Sequence, residues 1–146
     1  MRRQSNTIRH DPENGTYGNC HQACFASILD LDLSEVPHFY DQNPALGVAD
    51  KAQRDWLRSR GLAMGDVLFD GDYSLSDVMA TMAVRCPGVP VILGCTSGIG
   101  AGHSVVVLDG QVWHDPSGTG VAGPLDGFWW FTFFSVGAAP SLEDKP

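Results

Sequence analysis

The sequence predicts an α+β domain, and three observations carry that prediction. An apolar helix begins at Cys20, amphipathic helical segments follow through the middle, and short apolar strands separated by turn residues fill the second half. The order implies a mostly antiparallel sheet against which the first helix packs, together with two further helices. A single domain over 1–137 is expected, with a flexible tail at 138–146.

The first helix is read from Asn19 as its cap and Cys20 in its first turn. Ala23, Cys24, Ser27 and Ile28 recur at helical spacing with Phe25 and Leu29 beside them, so it is apolar nearly all round. Such a helix runs through a core and exposes only an end. An irregular stretch follows from Pro37 to Pro44. A second, amphipathic helix is expected from Asp50, with Ala49, Ala52, Trp56 and Leu57 on one face and Gly61 with Leu62 at its stop. A short strand at 67–69 leads to the turn residues Asp70, Gly71 and Asp72. Ser74, with Asp77 three residues on, marks the start of a third helix whose buried stripe is Leu75, Val78, Met79, Met82 and Ala83, and Pro87-Gly88 ends it.

A strand is expected over 89–95, then a glycine-rich loop over 96–102. The run Gly102-His103-Ser104-Val105-Val106-Val107-Leu108-Asp109-Gly110-Gln111-Val112-Trp113-His114-Asp115-Pro116 reads as a β-hairpin. A two-residue Asp109-Gly110 loop sets His103 opposite Pro116 and turns Asp115 to the other face. A three-residue loop, with Gly110 left-handed in a G1 bulge, sets His103 opposite Asp115 and is the expected form. The aromatic run from Phe128 to Val136 is the last strand, covered on both faces.

Composition narrows the function classes. Hydrophobic residues make up 43% and charged residues 18%, the balance of a folded globule. A net charge of −8 repels phosphate backbones and argues against nucleic acid as a partner. Arg2, Arg3 and Arg9 are expected on a solvated arm. No apolar run reaches the roughly 18 residues of a membrane span. The polar stretch before Asn19 is unlike a signal peptide, so a cytoplasmic location and free thiols at Cys20, Cys24, Cys86 and Cys95 are expected.

The chemistry converges on Cys20. A thiol at a helix start meets unpaired N–H groups and the positive end of the helix dipole, both of which favour the thiolate. His103 then supplies a base and Asp115 a carboxylate to orient it, the three parts of thiol catalysis. The backbone N–H of Cys20 faces the developing oxyanion, and Gln4, Asn14 and Asn19 are side-chain donors upstream. His21 and Gly102 are read as lining the cleft. Asp115-Pro116-Ser117-Gly118 also suits a plain turn. Cys24, Cys86 and Cys95 are read as core packing, and His114, alternating with Asp115, as structural. The glycines of 97–102 lead into a strand and lack a lysine, so they are no phosphate loop. No metal or other cofactor is expected.

Gly18-Asn19-Cys20-His21-Gln22-Ala23-Cys24, taken with His103-Ser104-Val105-Val106 and His114-Asp115-Pro116, resembles the papain-like cysteine peptidase superfamily. Within it the likeness is to double-glycine leader peptidase-like and transglutaminase-like domains, and to phage and bacterial proteins carrying similar segments. The resemblance implies a papain-like fold with Cys20 as nucleophile, His103 as base then acid, Asp115 as orienting group and Gln4 as oxyanion donor. It implies a thiol hydrolase, a cysteine peptidase or isopeptidase, acting on an amide bond of a peptide or protein. An acyltransferase with the same triad and a peptide-binding module without turnover are the alternative readings.

Overall fold

The computed structural model describes residues 1–136; the expected tail lies outside them. Helix α1 spans Cys20–Leu29, α2 Leu46–Ser59 and α3 Leu75–Arg85, and the strands are β1 Leu62–Asp70, β2 Val91–Ser97, β3 Gly102–Leu108, β4 Gln111–His114, β5 Val121–Gly123 and β6 Phe128–Val136. The six strands form one sheet in the order β1-β6-β2-β3-β4, with β5 extending the β6 side of β2. All of the pairings among the described residues are antiparallel. The architecture is α+β. No helix among the described residues is long and apolar enough to cross a membrane.

Helix α1 begins at Cys20, as its sequence implies, and Ala23 through Ser27 are all buried. Asn19 precedes it without capping it through the side chain, because that carboxamide is engaged elsewhere. Helix α2 begins at Leu46, a turn earlier than expected, and Asp50 lies within it, paired with Arg54 at 2.8 Å. Its buried face is Ala49, Gln53 and Leu57, whereas Ala52 is exposed. Gly61, at φ +72°, makes a tight turn straight into β1, which runs nine residues rather than three. Ser74 caps α3 by accepting a hydrogen bond from Asp77 N at 3.1 Å.

The sheet has a core on each side. Val78, Met79 and Met82 of α3 pack on Val91, Leu93, Cys95, Val105, Val107, Trp129 and Phe131. On the opposite face, Cys24, Phe25 and Ala26 of α1 and Leu57 of α2 meet Ile92 and Val106, with Phe134 packed against them. The aromatic strand β6 therefore contributes to both layers, through residues of opposite parity.

The hairpin corrects the expected loop. Leu108 pairs with Gln111, so the turn is the two residues Asp109 and Gly110, with φ of 50° and 75°, as a type I′ turn requires. There is no G1 bulge. Instead the register shifts between Val107↔Val112 and Val106↔His114, leaving Trp113 as an extra residue. One added residue inverts the facing of everything beyond it. His114 therefore shares the face of Val106, and Asp115 that of Val105 and His103.

The N-terminal arm is docked on the fold, although Arg2, Arg3 and Arg9 are exposed as expected. Arg2 pairs with Asp30 at 2.9 Å and Asp32 at 3.3 Å, and Arg3 lies over the Trp113 ring, 4.3 Å from its centroid. Gln4 N donates to Ser27 Oγ at 2.9 Å, and Thr7 N and Ile8 N both donate to Asn19 Oδ1 at 3.0 Å. The arm therefore runs antiparallel to α1, from its C-terminal end back to its start.

Candidate active site

His103 lies near the start of β3, buried, and its Nε2 donates to Asp115 Oδ1 at 2.8 Å. With Nε2 holding the proton, Nδ1 is the basic nitrogen. Asp115 is fixed in turn by N–H groups from Gly118 at 3.0 Å and Gly120 at 2.8 Å. Burial is the largest influence on Asp115 and raises its pKa, but the Gly120 N–H, the neighbouring His103 and the Gly118 N–H together outweigh it. The carboxyl is held below its usual value. Ser117 covers the pair, its Oγ 3.4 Å from each imidazole nitrogen and 2.7 Å from Thr119 Oγ1.

Cys20 is the first residue of α1 and is partly exposed. The backbone N–H groups of Ser104, His21 and Cys20 act on its sulfur and lower its pKa, while burial, the larger effect, and the Asp115 charge raise it. The net shift is upward, against the expectation for a helix start. The dipole of the helix is present, but the sulfur is too enclosed for it to prevail. The Ser104 N–H belongs to the peptide that joins it to His103, so the thiol approaches β3 edge-on. Strand β4 ends at His114, before it reaches Ser104. Cys20, His103 and Asp115 are thus gathered at one strand edge, and no hydrogen bond joins Cys20 to His103 among the described residues.

The remaining candidates sort by their hydrogen bonds. Asn19 is 1% exposed, and its Nδ2 donates to Thr7 Oγ1 at 3.0 Å and Gln22 Oε1 at 3.1 Å. Both donor hydrogens are engaged, so Asn19 anchors the arm and has none to give an oxyanion. Gln4 is tied at Ser27 and its carbonyl accepts from His114 Nε2 at 2.7 Å. Seven residues of helix separate Ser27 from Cys20, about 10 Å, which places Gln4 away from the helix start. Asn14 donates to Asp11 Oδ2 at 2.7 Å in an exposed turn. Gly102 is exposed, and an added Cβ would meet only Leu125, at 3.8 Å.

His21 is partly buried and held at both ring nitrogens. Its Nδ1 lies 2.9 Å from Ser104 Oγ and its Nε2 2.9 Å from Gln53 Oε1, while Gln53 Nε2 donates to Ala49 O at 3.1 Å. The Ala49 carbonyl can only accept, which orients the Gln53 amide and makes His21 Nε2 the donor and Nδ1 the acceptor from Ser104. Burial lowers the His21 pKa to about 4. This bond joins the neighbour of Cys20 to the neighbour of His103. Sequence reasoning missed Gln53 and Ser104, and only a polar residue on the apolar face of α2 pointed to the first.

All four cysteines are free. Cys24 and Cys95 are fully buried, and burial pushes Cys95 up to about 12. Among the described residues, no three His, Cys, Asp or Glu side chains are placed to hold a metal ion. No family model, curated protein or solved structure matches this chain, so its own geometry carries the functional reading.

Proposed function

We propose that the protein is a thiol hydrolase that opens an amide bond of a peptide or protein through Cys20, His103 and Asp115. The observation that carries this reading is the 2.8 Å bond from His103 to a carboxylate that two further N–H groups hold ionised, beside a cysteine at a helix start. A buried imidazole so oriented keeps its second nitrogen, which the Ser117 hydroxyl approaches at 3.4 Å, to move protons.

Because the Cys20 pKa is raised, the resting thiol is neutral and needs a base during attack. His103 Nδ1 takes the Sγ proton as the sulfur bonds to the carbonyl carbon. The tetrahedral intermediate then collapses, the C–N bond breaks, and the imidazolium returns its proton to the leaving amine. Water, losing a proton to His103, attacks the thioester; the C–S bond breaks and the thiol is regenerated. Asp115 stabilises the imidazolium in both halves. An amine in place of water gives acyl transfer by the same steps.

A second reading, a peptide-binding module without turnover, is favoured by the raised thiol pKa and the absence of a Cys20–His103 hydrogen bond. The two are separated by the burst of p-nitrophenol from p-nitrophenyl acetate, with the acylated residue mapped by mass spectrometry. Hydrolysis predicts a burst at Cys20 that is lost in Cys20→Ala and reduced at least about 100-fold in His103→Ala. A wild-type protein with no burst and no label at Cys20 leaves only the binding reading. Added hydroxylamine or amine distinguishes transfer from hydrolysis.

A further inference from the structure

The arm carries a polar group with no assigned task. Asn6 Oδ1 is buried and has no hydrogen-bond partner. Its Nδ2 has none among the described residues either, so a half-turn about the last side-chain bond exchanges the two atoms without breaking a bond. Asn6 as a residue is partly buried, but a buried amide atom is rarely left so, and it invites a ligand atom as its missing partner.

The anchors of the arm locate this group. Gln4 is held at Ser27 and Thr7 at Asn19. An extended three-residue run covers about 10 Å, close to the rise along α1 of about 12 Å over the eight steps from Ser27 to Asn19. Asn19, Ala23 and Ser27 lie on one stripe of that helix, beside Cys20, and the arm is held at both ends of it. Asn6 N also donates to Pro116 O at 3.2 Å, one residue beyond Asp115. Asn6 is therefore bracketed between the residue preceding Cys20 and the residue following Asp115, with the inner end of its side chain enclosed.

We propose that the Asn6 carboxamide is the side-chain donor to the oxyanion formed when Cys20 attacks a carbonyl, the role that the engaged Asn19 and the distant Gln4 do not fill. This rests on the thiol hydrolase reading. In the tetrahedral intermediate the carbonyl oxygen becomes negative, and Asn6 Nδ2 donates to it together with the N–H at the start of α1. In the resting protein that hydrogen has no partner, as preorganisation for a transient charge requires.

Two reagents test this on the full chain. p-Nitrophenyl acetate acylates Cys20 through an oxyanion, whereas iodoacetamide alkylates sulfur by displacement and forms none. Asn6→Ala is expected to slow the burst about 100-fold with little change in KM, while the alkylation rate at Cys20 stays within about twofold. Asn6→Asp, which presents a negative acceptor in place of the donor, is expected to slow it at least as much. Equal bursts in wild type and Asn6→Ala overturn the proposal, and so does a parallel loss of burst and alkylation, which marks Asn6 as structural. A wild type with no burst removes the hydrolase reading itself and Asn6's role with it.

Discussion

At the scale of single residues, the site is a set of polar groups whose partners are already chosen. Asp115 shows how this governs the nucleophile. Its charge raises the Cys20 pKa while its hydrogen bond orients His103, so Asp115→Asn has effects of opposite sign on two readouts. Iodoacetamide alkylation of Cys20 near pH 8 should speed up, because the thiolate fraction grows. The p-nitrophenol burst should slow by about 10-fold or more, because the imidazolium loses its carboxylate. In the wild type, the alkylation rate should rise with a midpoint above the ordinary thiol pKa of about 8.5.

His21 makes a second prediction. Its folded pKa is about 4, against about 6.5 unfolded. Neutral His21 thus contributes fully above pH 6.5. As pH falls, the unfolded chain binds the proton first, and stability is lost between about 6.5 and 4, by about 3 kcal/mol in all. Urea melts across that range should show the loss, and His21→Gln, less stable at pH 7, should show a flatter dependence. The residue was legible in sequence only as a neighbour of the thiol. Its role was not, because the partners Gln53 and Ser104 lie 32 and 83 residues away.

At the scale of elements, the hairpin turn and the arm decide where the groups meet. Asp109-Gly110 announces a turn, and its type follows from the two positive φ values. Gly110 is doubly constrained: φ is +75°, and an added Cβ would sit 2.8 Å from Met79 O and 2.9 Å from Ala83 Cβ. Gly110→Ala should cost about 2 kcal/mol or more, read as a lower urea midpoint. The bulge at Trp113 has no such announcement in the sequence. It exists because Trp113 packs against the α1 layer and under Arg3, contacts that no local pattern encodes. Without it Asp115 would face away from His103.

Asn19 ties the arm to the helix that carries Cys20. Removing its side chain leaves the N–H groups of Thr7 and Ile8 and the Gln22 carbonyl oxygen without that partner. Asn19→Ala should destabilise by about 2–4 kcal/mol and speed tryptic cleavage at Arg9. Sequence reasoning found Asn19 by its place before the helix and gave it a capping role. The structure gives the same side chain a long-range one, since a carboxamide that accepts from the arm cannot also cap.

At the scale of the whole molecule, the sheet separates two cores, and the site lies where a helix of one layer meets the edge of the sheet. Phe25 is fully buried and its ring packs on Phe39, Trp56 and Phe134, with centroids 4.8–6.1 Å apart. Phe25→Ala should cost about 3–5 kcal/mol, measured by urea denaturation. Because it loosens α1 against β3, it should also lower the Cys20 burst in protein that remains folded. Phe131, fully buried in the opposite core, should cost as much in stability when changed to Ala but leave the burst per folded molecule nearer wild type.

Sequence alone determined the α+β class, the start of α1 at Cys20, the stripe of α3 and the existence of the hairpin. These depend on near-neighbour chemistry: apolar spacing, a serine cap, an Asp-Gly turn. Tertiary structure alone decided the start of α2, the buried Gln53, the docked arm and the bulge that sets the face of Asp115. Each of those depends on which distant surfaces must be covered and which polar groups must then find partners. That condition belongs to the folded whole and is not written in any short run of residues.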